Sequence, residues 1–103
     1  LTPEILFTAQ RMPATRAHQL GTVHAIAPED QVDKVAESFA RTIAANAPLT
    51  LKAAKAAIRA LVLNDTELIA QAEQLGAKAD ASNDYAEGRA AFAQKRPPRF
   101  TGT

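Results

Sequence analysis

Two histidines, a stripe of cations and a basic, proline-broken tail are the side chains with the most obvious chemical reach. His18 and His24 stand six positions apart, with no cysteine in the chain and no cluster of acids beside them. Zinc and its relatives ask for several convergent nitrogen, sulfur or oxygen donors. The pair therefore reads as surface or packing histidines, and no metal site is expected. Lys52, Lys55 and Arg59 follow one another at helical spacing, the pattern of a solvated helix face, with a phosphate-binding surface as the lesser reading. Lys95-Arg96-Pro97-Pro98-Arg99 is open to reading as a polyproline ligand or a basic tail. The end of a helix explains it more simply, because cations suit the negative end of the macrodipole and proline halts the helix. No glycine-rich phosphate loop and no nucleophile elbow occurs.

The elements that would position these groups follow from composition. A chain of 103 residues has room for one small domain. Alanine fills 24 positions, while aromatics make up 5% and glycine numbers only 4, which favours a mostly α fold over a β sandwich. Alanine-rich helices bury little area, so a thin core that relies on an oligomer or on a missing domain is expected. A formal net charge of +1 is too small to recruit nucleic acid or an anionic membrane. The absence of cysteine excludes disulfides and thiolate chemistry and is compatible with a reducing, cytoplasmic setting. No apolar run approaches the roughly 18 residues of a membrane span, and no signal peptide is visible. The chain begins at Leu1 without a methionine, so a longer parent, shortened by design or by proteolysis, is expected.

Proline and glycine divide the chain. Ile5, Leu6 and Phe7 form an apolar run that continues an element begun upstream. Pro13 suits a first helical turn and Gly21 a left-handed cap, so Ala14 to Leu20 reads as a short helix. Val23 to Ala27 alternates before Pro28 and predicts a short strand, which needs a sheet edge supplied from elsewhere. Pro28, Glu29 and Asp30 open a helix carrying the apolar set Val32, Val35, Ala36, Phe39, Ala40 and Ile43. The next helix starts near Leu49, with Leu51, Ala54, Ile58 and Leu61 on one face. Asn64, Asp65 and Thr66 punctuate, and Leu68, Ile69, Ala72, Leu75 and Ala79 mark the following helix. Asp84 and Glu87 are spaced as a capping box for the last helix. Gly88 leaves room for a close backbone approach, Tyr85, Ala91 and Phe92 supply apolar contacts, and Lys95 and Arg96 lie in the final turn. The reading amounts to about five helices with one short strand near the N-terminus.

The order of residues from Asp84 to Phe100 adds a second line of argument. Asp84, Glu87-Gly88, Ala91-Phe92, Lys95-Arg96, Pro98 and Phe100 match the closing pattern Asp-x-x-Glu-Gly-x-x-Ala-Phe-x-x-Lys-Arg-x-Pro-x-Phe of the crotonase (enoyl-CoA hydratase/isomerase) superfamily, which the chain resembles. Glu4 to Thr8, Ala14 to Gly21 with Val23, and Ile43 to Lys55 resemble further segments of that family in the right order. The resemblance implies the C-terminal helical domain of the crotonase fold, with the N-terminal ββα spiral core absent. Residues 1–27 would be the linker with a short helix and strand from the end of that core, and residues 28–103 the helical oligomerisation domain.

The implied function is that of a parent enzyme performing general acid/base work on an acyl-CoA thioester, with backbone N–H groups stabilising an enolate oxyanion. This chain would mediate trimer or hexamer assembly and cover the acyl-CoA site. CoA is then part of the substrate, and no separate cofactor is expected. Carried over by motif position, Phe92 and Lys95 would contact CoA, the ring packing against the base and the ammonium meeting the 3′-phosphate. The family's catalytic groups belong to its N-terminal half, so no catalytic residue is assigned here. Glu4, Glu29, Glu67, Glu73 and Glu87 are not promoted to that role, and Glu87 reads as a cap or surface acid. The chain alone is expected to be inactive as a hydratase or isomerase. The run Leu75-Gly76-Ala77-Lys78-Ala79-Asp80-Ala81 departs from the family, which often has bulk there. A polar acyl group, a different helix orientation or a surface change would each account for Lys78 and Asp80. A free-standing helical interaction module without catalysis is the alternative reading, disfavoured by an orphan strand at Val23 to Ala27.

Overall fold

The computed structural model describes residues 2–103, with side chains from Ile5 onward. Among the described residues there are six α-helices and one 3-10 turn, and no strand. They are α1 (Thr2–Thr8), α2 (Ala14–Gln19), the 3-10 turn (Glu29–Gln31), α3 (Val32–Ala44), α4 (Pro48–Leu63), α5 (Thr66–Asp80) and α6 (Asn83–Ala93). No described helix is long and apolar enough to cross a membrane. The chain forms two compact units, Leu1–Phe39 and Ala40–Thr103.

In the first unit α2 begins after an N-cap at Pro13, a place where the missing N–H costs nothing. Its end is closed by Gly21 in the left-handed region at φ 72°. His18 Nδ1 lies 3.3 Å from the Val23 carbonyl oxygen, so this histidine ties down the turn after its own helix. The expected strand at Val23 to Ala27 is not formed; the segment runs through bends into irregular chain ahead of Pro28. The reason is physical: a strand exists only with a neighbour to hydrogen-bond to, and the described residues provide none. Of the apolar stripe expected of α3, whose residues fall in both units, Val32, Phe39 and Ile43 are each about half exposed at 50%, 53% and 51%, Ala36 and Ala40 are exposed, and Val35 is half-buried.

The second unit is organised by α4 and α5, which pack against each other through alanine. Ala60 on α4 and Ala72 and Ala79 on α5 are buried, and Ala53, Ala56, Ala57, Leu68, Ile69 and Leu75 are half-buried. Small side chains let the helices approach closely while burying little area per residue. The stripe expected on α5 is the one found. On α4 the expected face of Leu51, Ala54, Ile58 and Leu61 is the wrong one: all four are exposed, Ile58 and Leu61 at 65% and 73%, as is the neighbouring Val62 at 78%, and the alanine seam on the opposite side makes the contact. On α4 the large apolar side chains point outward and the alanines inward, so that small residues of α4 meet the mixed Leu68, Ile69, Ala72, Leu75 and Ala79 stripe of α5.

The link between these helices is two residues long. Asn64 takes a left-handed conformation at φ 49°. The Asp65 carboxylate then caps α5 by accepting from the Glu67 and Leu68 N–H groups at 2.9 and 3.1 Å. Replacing Asp65 by alanine should cost about 1 kcal/mol. Ala60→Leu, which overfills the seam, should cost about 1–3 kcal/mol; urea denaturation of the two variants reads both losses.

Candidate functional site

Helix α6 carries the side chains singled out by sequence, and two carboxylates decide how its end is arranged. Ser82, not Asp84, is the N-cap: its Oγ accepts from the Tyr85 N–H at 3.1 Å. The expected capping box is therefore absent, because the serine reaches the third helical N–H first. Asp84 lies in the first turn and Glu87 one turn further on, both on the face that the tail folds back over.

Asp84 is 2% exposed, the most deeply placed charge among the described residues. Its Oδ1 accepts from the Thr101 N–H at 2.7 Å and its Oδ2 from the Gly102 N–H at 2.8 Å. In return the Asp84 N–H donates to the Thr103 carbonyl at 3.1 Å. A buried carboxylate is tolerated when its lone pairs are met by donors in this way. Gly102 is left-handed at φ 81°, and a Cβ built there would sit 3.6 Å from the Pro48 side chain at the start of α4. The tail is thereby brought to the first turn of α4. Glycine removes the backbone penalty that any other residue would pay at that φ.

Glu87 holds the other end of the strap. Arg96 donates through both terminal nitrogens, Nη1 to Oε1 at 2.6 Å and Nη2 to Oε2 at 2.8 Å, and the Arg99 N–H adds a third bond to Oε1 at 2.8 Å. The Arg96 hydrogen bonds, followed by the Arg99 N–H, pull the Glu87 carboxyl down to about 2 from an ordinary 4.5, against a smaller opposing effect of burial. The Arg96 guanidinium is raised in turn, chiefly by its bond to Glu87. Neither a cap nor a free surface acid describes this residue. Phe100 closes the strap by laying its ring beside Gly88, where an added Cβ would meet it at 3.6 Å. The close approach at Gly88 is by a side chain, and its distance is ordinary van der Waals contact.

Phe92 and Lys95 stand together where α6 ends. The helix stops at Ala93, so Lys95 and Arg96 lie beyond it, not in its final turn. Phe92 is 87% exposed and gives the helix no core contact; the buried apolar residue of α6 is Ala91. Lys95 is exposed, and its N–H donates to the Phe92 carbonyl at 3.2 Å, fixing the two residues in one tight turn. Tyr85, Arg89, Phe92 and Phe100 border a shallow, mostly apolar depression completed by Ala47 and Thr50. An exposed ring and an ammonium on one turn can together hold a flat, anionic ligand group.

The remaining candidates gather no chemistry. No group of three or more His, Asp or Glu that could hold a metal occurs among the described residues. Glu29 opens the 3-10 turn, and Glu67 and Glu73 lie exposed on α5; the Glu4 side chain is outside the described residues. Lys52, Lys55 and Arg59 are exposed on α4, as are Lys78 and Asp80 on α5. A Cβ at Gly76 would meet nothing within 4 Å. What sequence reasoning missed is the paired strap. Its signal was present in the three-residue spacing of Asp84 and Glu87 and in the cations beyond the helix, but that spacing also fits a cap.

A family profile described as enoyl-CoA hydratase/isomerase matches residues 1–103. The chain is 35% identical over 107 residues to the human enoyl-CoA hydratase domain-containing protein 2, mitochondrial, covering 99% of this chain and 37% of that protein. It is 34% identical to the 2,3-dehydroadipyl-CoA hydratase of Escherichia coli K12, covering 99% of this chain and 40% of that protein. The crystal structure of an enoyl-CoA hydratase from Mycobacterium tuberculosis H37Rv superposes with a TM-score of 0.84 at 36% identity, over 97% of this chain and 40% of that one. The chain belongs to the enoyl-CoA hydratase/isomerase family. It spans about two fifths of the length of these relatives, and its mostly α architecture is that of the C-terminal helical part of the crotonase fold.

The pH dependence of the strap follows from Glu87. Its folded carboxyl titrates at about 2 and its ordinary value is 4.5, so between those values the unfolded chain binds more protons. The stability it contributes is complete above the ordinary value and is lost as pH falls through the folded one. Glu87→Gln should accordingly melt earlier than the parent at neutral pH and converge on it toward pH 2, as followed by circular dichroism.

Proposed function

We propose that the chain is the assembly and lid region of an enoyl-CoA hydratase/isomerase enzyme. Residues 28–103 would bring copies together as a trimer or hexamer and cover the acyl-CoA site, with residues 1–27 as the linker to the rest of the enzyme. The observation that carries this reading is the family match across the chain joined to a helix that turns its large apolar side chains outward. Leu51, Ile58, Leu61 and Val62 on α4 are all exposed, whereas a self-sufficient module would bury them. Phe92 and Lys95 would grip the CoA of the substrate, and no other cofactor is called for. The parent would hydrate or isomerise an enoyl-CoA thioester in fatty-acid or related acyl-CoA metabolism, in a cytoplasmic setting.

A relative named for 2,3-dehydroadipyl-CoA supports a polar acyl group in the substrate. Lys78 and Asp80, exposed on α5, are at the positions where the family often carries bulk. The catalytic acid/base groups and oxyanion donors would come from outside this chain, which by itself should not turn over crotonyl-CoA. The orphan-strand argument against a free-standing module falls away, because no strand forms at Val23 to Ala27; the family match across the chain is what favours the enzyme reading.

Sedimentation of the purified chain, with crotonyl-CoA hydration measured on the same sample, tests the proposal. An inactive oligomer is expected, and Leu61→Glu, which plants a charge on the outward face of α4, should shift it toward monomer. An active monomer would overturn both the assembly role and the assignment of catalysis to another part of the enzyme.

A further inference from the structure

Three helices of the chain end in the same hydrogen-bonded turn. After α2, the Gly21 N–H donates to the His18 carbonyl and the Thr22 N–H to the Ala17 carbonyl, at 3.0 and 2.9 Å. After α4, Asn64 and Asp65 donate likewise to Leu61 and Ala60, both at 3.3 Å. After α6, Lys95 donates to Phe92 at 3.2 Å and Arg96 to Ala91 at 3.0 Å. The corner residue of each turn is left-handed, at φ 72°, 49° and 52° respectively. Glycine and asparagine are the residues that accept this corner readily; lysine is not, because its Cβ crowds the following carbonyl.

Ala9 is also left-handed, at φ 51°, but it follows α1 with one backbone bond, to the Ile5 carbonyl. Lys95 alone among these corners carries a charge, and its flanks are bound on both sides. Arg96 donates from Nε to Gln94 Oε1 at 2.7 Å, just before the lysine, while its terminal nitrogens hold Glu87. A fourth bond runs from Arg96 Nη1 to the Pro97 carbonyl at 3.2 Å. An unfavourable backbone conformation persists where its surroundings over-determine it, and here one guanidinium does so from both sides.

We infer that Glu87, acting through Arg96, is the positioning residue for Lys95, locking the left-handed turn that presents its ammonium beside Phe92 to the 3′-phosphate of CoA. The inference rests on the reading of Phe92 and Lys95 as CoA contacts and adds the device that holds them ready. It accounts for a lysine at a glycine corner: the charge is needed there, and the Glu87–Arg96 pair offsets the conformational penalty.

Calorimetric titration of the full protein with CoA and with 3′-dephospho-CoA, together with a double-mutant cycle on melting temperature, tests it. The parent should prefer CoA by about tenfold, the scale of one charge-assisted contact. Lys95→Gly should abolish the preference and keep or raise the melting temperature. Glu87→Gln should cut the preference to about threefold or less with dephospho-CoA binding unchanged; Arg96→Lys, which keeps the charge but not the fork, should do the same. A merely structural role would weaken both ligands alike. In the cycle, Glu87→Gln should lower the melting temperature less in the Lys95→Gly background than in the parent. Equal drops in both backgrounds, or clamp variants that keep the preference Lys95→Gly removes, would overturn the positioning role and leave the CoA contact standing. A parent indifferent to the 3′-phosphate would instead sink the CoA contact, and the positioning role with it.

Discussion

Two carboxylates on one face of α6 are the constraint on which the end of this chain depends. Asp84 takes the N–H groups of Thr101 and Gly102, and Glu87 takes Arg96 and the Arg99 N–H. Each is met by more than one donor, which is the condition under which a partly or fully buried charge is tolerable. Without them residues 94–103 would have little to hold them, since this segment contains one ring, Phe100, and two prolines. Polar bonds thus do here what apolar burial does in larger cores.

That substitution is forced by composition. The interior of the second unit is lined by Ala60, Ala72, Ala79 and Ala91, and an alanine buried in a seam contributes much less than a leucine would. Close helix approach is gained and area is given up. The large apolar residues of α4 are left on the outside.

The strap also shapes the tip of α6. Phe92 is held out from the helix and Lys95 is bent into a conformation its side chain disfavours, with Arg96 bonded both to Gln94 and to Glu87. The same pair that secures the tail therefore also flanks the left-handed turn at Lys95. Tail and turn share one set of bonds in this corner, so a change at Glu87 acts on both.

Helices α2 to α6 were legible from residue periodicity and punctuation, and α1 was not: the Gly21 and Asn64 corners, the Asp65 cap and the apolar stripe of α5 are local features, set by φ preferences and hydrogen bonds within a turn or two. The closing pattern from Asp84 to Phe100 likewise announced the family without any coordinates. Tertiary structure decided what periodicity could not. Only the presence of α5 determined that α4 would turn its alanines inward, because two faces of one helix can be apolar and the neighbour chooses by shape. Only the absence of a pairing edge among the described residues kept Val23 to Ala27 out of a strand. Only the return of the tail made Asp84 and Glu87 a clamp instead of a cap, since bonds of the same carboxylates to residues nine to eighteen positions away leave no trace in local spacing.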